Sequence, residues 1–336
     1  MAVGFPMKAI NLVCSTAFMM GAALVISLLT NVSGVFPDEV LTSDVRSNIT
    51  IFLLAVMLTI TLSRIPFRNL DPVKNYRSVA RAVILGLVFA SVIPLAAYYI
   101  LENIDGYEKY AEGLVFLAAT PFAASVGPLS LILRGDLEHA LRSTIIVYIV
   151  SLVWIPFIIW ITLGELVDMT KVVITVIELI GVPLVVSRLI TKVKINKTAM
   201  SVLLNCVIAF LVWLSVSATN FPKEIAILVV FMFIAFLRDF GLGSVTEVAE
   251  KRAGIAWSQR VTDILMISYK NKGIAIALCV SVLSGPAIGN AMVPIAASIV
   301  VEIIWVAFMD SVLFSRKRME RELESDREAG IRQTWE

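Results

Sequence analysis

A single histidine and three cysteines are all that 336 residues offer toward metal or thiol chemistry. Cys14, Cys206 and Cys279 stand far apart in apolar runs, without CxxC or any other ligand spacing. They read as small packing hydrophobes, not as a disulfide or zinc framework. His139 falls in a short charged stretch beside Arg134, Asp136 and Glu138, where it reads as a surface residue. It lacks the partners that nucleophilic or metal-assisted catalysis requires. No enzymatic activity, resident cofactor, metal or nucleic-acid partner is expected. Charge is scarce as well: 16% of the residues are charged against 59% hydrophobic, with a net charge of +2 and a mean hydropathy of +0.90. A soluble domain carries about 25% charged residues. The chain therefore reads as an integral membrane protein whose first partner is the lipid bilayer. Its first apolar run is long and lacks a small-residue cleavage site, so no cleavable leader is expected.

Apolar windows of about 20 residues, separated by charged or turn-rich breaks, occur at ten places. They are 9–30, 48–64, 80–101, 112–133, 138–163, 170–189, 199–219, 223–242, 257–283 and 287–314. The connections leave no room for a soluble domain, so residues 1–336 form one membrane unit, with 316–336 as a tail that is partly helical at most. Lys and Arg collect on the cytoplasmic side of membrane proteins. With the N-terminus inside, 22 of the 28 Lys and Arg fall in inner segments and the helix ends beside them, 4 on the outer side, and 2, Lys270 and Lys272, at the centre of the ninth window. The inner set includes Lys8, Arg64, Arg68, Lys74, Lys192, Lys194, Arg238 and Arg332, and the outer set includes Lys223. The expectation is a multi-pass protein of the cell membrane with both termini cytoplasmic.

Ten spans divide into two halves of five, residues 1–165 and 166–315, and an odd number of crossings inverts the second half. Inverted repeats place a substrate where corresponding broken helices meet near the midplane. The fourth window contains ATPFAASVGPLS, in which Pro121 and Pro128 remove backbone donors and crowd the preceding turns, with Thr120, Ser125, Gly127 and Ser130 around them. The ninth window carries Tyr269, Lys270, Asn271, Lys272 and Gly273 at its centre. A charge at bilayer depth costs about 2.5–3.5 kcal/mol on insertion scales, and interrupted backbone is tolerated there only where protein or water covers it. Both interruptions fall in the fourth helix of their half, so the expected fold is all-α, with helices four and nine discontinuous and crossing. The alternative is that Pro, Gly and Ser only permit close helix packing. Glu302 and Glu178, near the middle of the tenth and sixth windows, are candidate ion-pair partners or proton relays, Glu302 being the first choice for Lys270 or Lys272. A static ion pair is the competing reading for each.

The segment TPFAASVGPLSLILRGDLEHALRSTIIVY resembles the fourth-to-fifth-helix crossover of the bile acid:sodium symporter family, in which a proline-led break precedes an Arg-Gly-Asp/Asn turn. YKNKGIAIALCVSVLSGPAIGNAMVP resembles that family's ninth-helix crossover. The wider superfamily also holds arsenite efflux permeases and auxin-carrier-like proteins. The resemblance implies a panel of helices one, two, six and seven, a core from the rest, and a substrate crevice between them. It also implies sodium ligands around both crossovers, and of those only Asn271 and Thr144 keep the matching residue type. The family's Ser-Asn pair falls on Val126 and Gly127, its ninth-helix Glu on Met266, its Gln on Lys270, its third-helix Gln on Phe89 and a fifth-helix Ser on Ala140.

Sodium prefers several oxygen ligands, and the matching positions have lost most of theirs. Lys270 supplies a positive charge from the protein itself. The resulting expectation is a secondary transporter of small organic anions working by alternating access without the usual sodium sites, coupled to protons through Lys270 or exchanging passively. A lysine and the N-termini of broken helices both attract negative charge. Three alternatives stand beside it. A sodium-coupled symporter of the bile-acid type would need ligands beyond Thr144 and Asn271. An arsenite-type permease would need a cysteine where Phe122 stands and an acid where Gly273 stands. A channel would need a continuous polar pore, whereas the polar residues cluster at one depth.

Overall fold

The computed structural model describes residues 13–14, 16–37, 39–63, 76–191, 196–219 and 225–331. Lys8, Arg64, Arg68, Lys74, Lys192, Lys194, Lys223 and Arg332 lie outside the described residues. The described chain is helical, in thirteen segments: α1 (Thr16–Ser33), α2 (Ser43–Ser63), α4 (Glu108–Ala119), α5 (Val126–Ile132), α6 (Leu137–Leu163), α8 (Lys197–Val216), α10 (Trp257–Ser268), α11 (Lys272–Val282) and α13 (Arg316–Glu328), together with α3 (Tyr76–Leu101), α7 (Met169–Leu189), α9 (Ile225–Arg252) and α12 (Pro286–Leu313). Seven of these are long and apolar enough to cross a membrane, and the half-length α11 is apolar too. Large apolar side chains such as Val153, Trp160 and Leu189 are exposed on the outside, which suits a surface that meets lipid acyl chains and not water.

Helix ends follow short-range chemistry. Asp136 accepts from the backbone N of His139 to cap α6, Asp168 caps α7, and Asn196 caps α8, each satisfying amides that the first turn leaves without a partner. Gly254, at φ +70, ends α9 in a left-handed conformation that a side chain disfavours. Four long helices contain a π-helical stretch: Ile84–Phe89 in α3, Ile177–Gly181 in α7, Leu237–Leu242 in α9 and Met309–Leu313 in α12. Such widened turns release carbonyls from the ordinary ladder and occur mostly at functional sites.

Close helix pairs organise the packing. α1 lies along α8, and α2 lies along α7. α4 packs on α3 and α12, and α9 packs on α12 and α10. The α4–α12 crossing is close enough that a Cβ on Gly113 would stand 2.0 Å from the Ala291 carbonyl oxygen. The largest core joins α4, α6, α7, α11 and α12 through Leu114, Phe116, Tyr148, Ile155, Leu278 and Ile295. A second core surrounds Phe122, Trp257 and Trp305.

Two expectations about the helix ends change. His139 is buried, not at the surface, because Asp136 starts α6 early and turns the imidazole inward onto Asp263, with Nε2 to Oδ1 at 2.8 Å. Arg238 is not a loop residue: α9 continues to Arg252, so Arg238 and Asp239 sit in the middle of a helix and are buried. The tail is helical over Arg316–Glu328, in keeping with a partly helical tail, and it docks on the body: Trp257 N donates to Asp326 Oδ2 at 2.9 Å, and Glu322 meets Arg260 at 2.9 Å and Lys251 at 2.6 Å.

Candidate functional site

Two interrupted helices cross at their breaks. Pro121 has no amide hydrogen and forces the preceding residue toward extended backbone, so α4 ends with Thr120 at φ −75, ψ 149. In the second break no proline is involved. There Asn271 sits outside helical geometry, and its Oδ1 accepts from Ile274 N at 3.0 Å to cap α11. The two short extended stretches pair: Ala123 N donates to Tyr269 O at 2.8 Å, and Asn271 N donates to Pro121 O at 2.9 Å. This antiparallel bridge is centred on Phe122 and Lys270. Each break thus satisfies the backbone groups the other exposes. Asn271 Nδ2 donates to the Tyr148 hydroxyl at 2.8 Å, which donates to Phe122 O at 3.2 Å, tying both breaks to α6.

The bridge aims Lys270 into a cage of neutral oxygens. Its Nζ lies 2.6 Å from Thr120 O, 3.1 Å from Ala118 O, and 3.4 Å from both Gly86 O and Ser91 Oγ. The two closest acceptors are terminal carbonyls of α4, which its own ladder leaves free and which form the negative end of the helix dipole. Gly86 lies in the π-helical stretch of α3, and a Cβ there would stand 2.6 Å from the Phe122 ring. Lys270 is 1% exposed, and among the described residues no carboxylate lies within ion-pair distance of it.

Lys272, two residues on, opens α11 and is ion-paired with Glu302 of α12. Glu302 Oε2 is also 4.0 Å from Arg238 Nη2, and Arg238 in turn pairs with Asp239 at 2.6 Å. Two cations and two anions are therefore matched in a buried group, and Lys270 stands beside them as an amine held by carbonyl and hydroxyl oxygens. The Lys272 ammonium also lies over the Tyr269 ring, 5.6 Å from its centroid.

A cavity of about 240 Å³ opens between this crossing and the α2 and α8 helices. One wall is mostly apolar, with Leu54, Met57, Ile208 and Leu211 beside Thr61, Ser201 and Asn205; the other presents Ser125, Tyr269, Lys270, Asn271, Lys272, Gly273 and Glu302. A Cβ on Gly273 would meet Leu54 Cδ2 at 2.5 Å, so α11 and α2 touch at the cavity rim. Of the other residues singled out in the sequence, Thr120 faces Lys270 through its carbonyl, and Pro121 is buried at the bridge. Gly127 packs against Leu141. Ser130 is buried in α5, with its carbonyl accepting from Gly135 N. Thr144 donates back to Ala140 O in its own helix at 2.8 Å. Glu178 is exposed on α7, and no ion pair joins it to either lysine. Arg238, Asp239, Tyr148 and the Gly86 carbonyl were not singled out. Only the Arg-Asp pair leaves a sequence trace, as two charges within an apolar run.

A family model described as the Sodium Bile acid symporter family matches residues 49–242, from α2 to the π-helical stretch of α9. No curated protein matches the chain.

Proposed function

The chain belongs to the sodium bile acid symporter family, and on that premise we propose that it is a secondary transporter of small organic anions that carries its own cation, Lys270, in place of a coupling sodium ion. The observation behind this reading is the oxygen cage around Lys270 Nζ, built from Thr120, Ala118, Gly86 and Ser91. An ammonium donates at most three hydrogen bonds, and hydrogen bonds to charged groups contribute about 1.5–3 kcal/mol each. Two short ones and the α4 dipole offset a desolvation cost of several kcal/mol per buried ion. The same carbonyls would suit a hard metal cation, and the tethered amine fills their place.

The substrate's anionic group binds toward Lys272 and the N-terminus of α11, and its apolar body lies against Leu54, Met57, Ile208 and Leu211. Glu302 and the substrate compete for Lys272, so loading the site frees a carboxylate already shared with Arg238. Coupling is either proton exchange at Lys270 or Lys272–Glu302, or obligatory anion exchange. α1, α2, α7 and α8 form a panel against which the remaining helices rock, with ten spans arranged as two inverted five-helix halves. Support for the inversion comes from corresponding features: the third helix of each half has a π-helical stretch, and the fourth of each is broken. The excess of Lys and Arg in alternate connections supports a cell-membrane protein with both termini in the cytoplasm.

Uptake of a panel of organic anions into liposomes, with sodium and pH gradients imposed independently, tests the reading. Transport that proceeds in sodium-free buffer and shows counterflow supports it. Strict sodium dependence overturns the tethered-cation mechanism and leaves the ordinary family symporter; flux without counterflow indicates a channel.

A further inference from the structure

Away from the crossing, a second set of buried ionisable groups lies where α3, α6, α9 and α10 converge. Asp263 of α10 has no solvent exposure; its Oδ1 is 2.8 Å from His139 Nε2 and its Oδ2 is 2.6 Å from Arg81 Nε. Glu250 of α9 is 7% exposed and meets the same guanidinium only at 3.8 Å. Neither Glu250 oxygen receives a hydrogen bond from a fixed donor, and the guanidinium it faces is the one that Asp263 already engages closely. Two buried carboxyl groups that converge on one guanidinium repel each other when both are ionised, which favours the state in which one carries a proton.

Charge balance leads to the same place. The other ionic groups facing this cluster are already matched: Glu247 with Arg260 and Arg318, Glu322 with Lys251 and Arg260, Asp326 with Arg260, and Glu138 with Arg142. Asp136 faces His139 N as a cap. That leaves one guanidinium and the His139 imidazole for two buried carboxylates, a net negative charge unless the cluster holds a proton. Buried charges without a counter-charge are expensive enough that the group neutralises instead.

We propose that Glu250 and Asp263 form a proton-binding site, with one proton held between the two carboxyl groups and exchanged with solvent by way of His139 and Ser78. His139 Nδ1 is 2.6 Å from Ser78 Oγ and 3.2 Å from Ser143 Oγ, so hydroxyls can serve either tautomer while Nε2 faces Asp263. Ser78 lines an open cavity of about 840 Å³, as does Gln259, which accepts from Arg81 at 3.2 Å. Both edges of the network therefore reach water. Asp263 belongs to α10, the half-helix whose far end carries the Lys270 break, so the proton acts on the element that also holds the tethered amine. The site stands irrespective of what is transported.

His139 is the chain's only histidine, so isotope-labelled histidine reports this site alone. In nanodiscs, wild-type protein at neutral pH is expected to show an infrared band of a protonated carboxyl that Glu250→Gln removes and Glu250→Asp retains at a shifted frequency. Alkaline titration should abolish the band and move the His139 imidazole resonances over the same pH range, and Glu250→Gln should uncouple the two. An infrared spectrum unchanged by Glu250→Gln overturns the proposal. Should that variant fail to fold, the wild-type titration and Glu250→Asp decide: imidazole resonances that stay fixed while the band is lost, or no band at all, overturn it equally.

Discussion

Lys270 donates to neutral oxygens alone, and that makes its removal chemically specific. Lys270→Ala takes the Lys270 donor from the Thr120 carbonyl, at about 1–3 kcal/mol for an unsatisfied buried group, while the Ala118 carbonyl keeps the Ser91 hydroxyl, and it opens an oxygen-lined gap. The variant is expected to melt earlier than wild type and to regain part of that loss in sodium but not in choline, whereas wild type responds to neither; thermal unfolding in detergent measures both. An equal response of the two proteins would remove Lys270 from the cation role. Lys270→Gln keeps a donor, so its fold should stay nearly intact while any pH dependence of transport disappears, and an unchanged pH profile would count against proton coupling there. Lys270 was legible because a lysine inside an apolar run has no cheap structural explanation. Arg238 and Asp239 were not, since an apolar window ending at 242 puts them near a membrane boundary, and only the continuation of α9 to Arg252 makes them central. His139 was misread for a related reason: charged neighbours in sequence look like a solvated loop, and its actual partner, Asp263, is 124 residues away.

At the level of helices, the first break could be read from Pro121, because a missing amide and a constrained preceding residue are local facts. The second break is signalled by Asn271, a capping residue in a place where no helix would otherwise start. Their pairing into an antiparallel bridge depends on two segments far apart in the chain, and no periodicity announces it. Close approach is equally silent in sequence. Gly113 shows no motif, yet a methyl group there would lie 2.0 Å from the backbone oxygen of Ala291 and 2.5 Å from the Pro294 ring. Backbone cannot swing aside as a flexible side chain can, so Gly113→Ala must part α4 from α12. A loss of about 3 kcal/mol, the upper end for overpacking, is expected as a lowered unfolding temperature. Because α4 carries the Thr120 and Ala118 carbonyls, transport should fall with it. Gly21→Ala, with nothing within 4 Å of its added Cβ, serves as the control: inside a helix it should raise the unfolding temperature slightly, a gain of up to about 1 kcal/mol, and leave transport unchanged.

For the molecule as a whole, the docked α13 helix joins the chain's end to the turn between α9 and α10. Arg260 is the hub: fully buried, it binds Glu247, Glu322 and Asp326, while Arg318 meets Glu247 from the tail side. Burial alone would raise the Glu322 carboxyl, but hydrogen bonds from Lys251 and Arg260 outweigh it and hold the group below the usual carboxylate range. A group depressed in the docked state and ordinary in the free state stabilises docking above its free pKa, about 4.3 for glutamate, and loses that contribution as pH falls through the lower, docked value. The tail should therefore stay docked at neutral pH and release in acid. A spin-label pair with one label on α13 and one on α9 should report a single short distance at pH 7 and a broad, longer distribution once Glu322 is protonated. Glu322→Gln should show the broad distribution already at pH 7, because it removes the charge that two cations share. A short distance retained by Glu322→Gln and by wild type in acid would mean that Asp326 and the Trp257 contact hold the tail without Glu322, and that the latch has no electrostatic release.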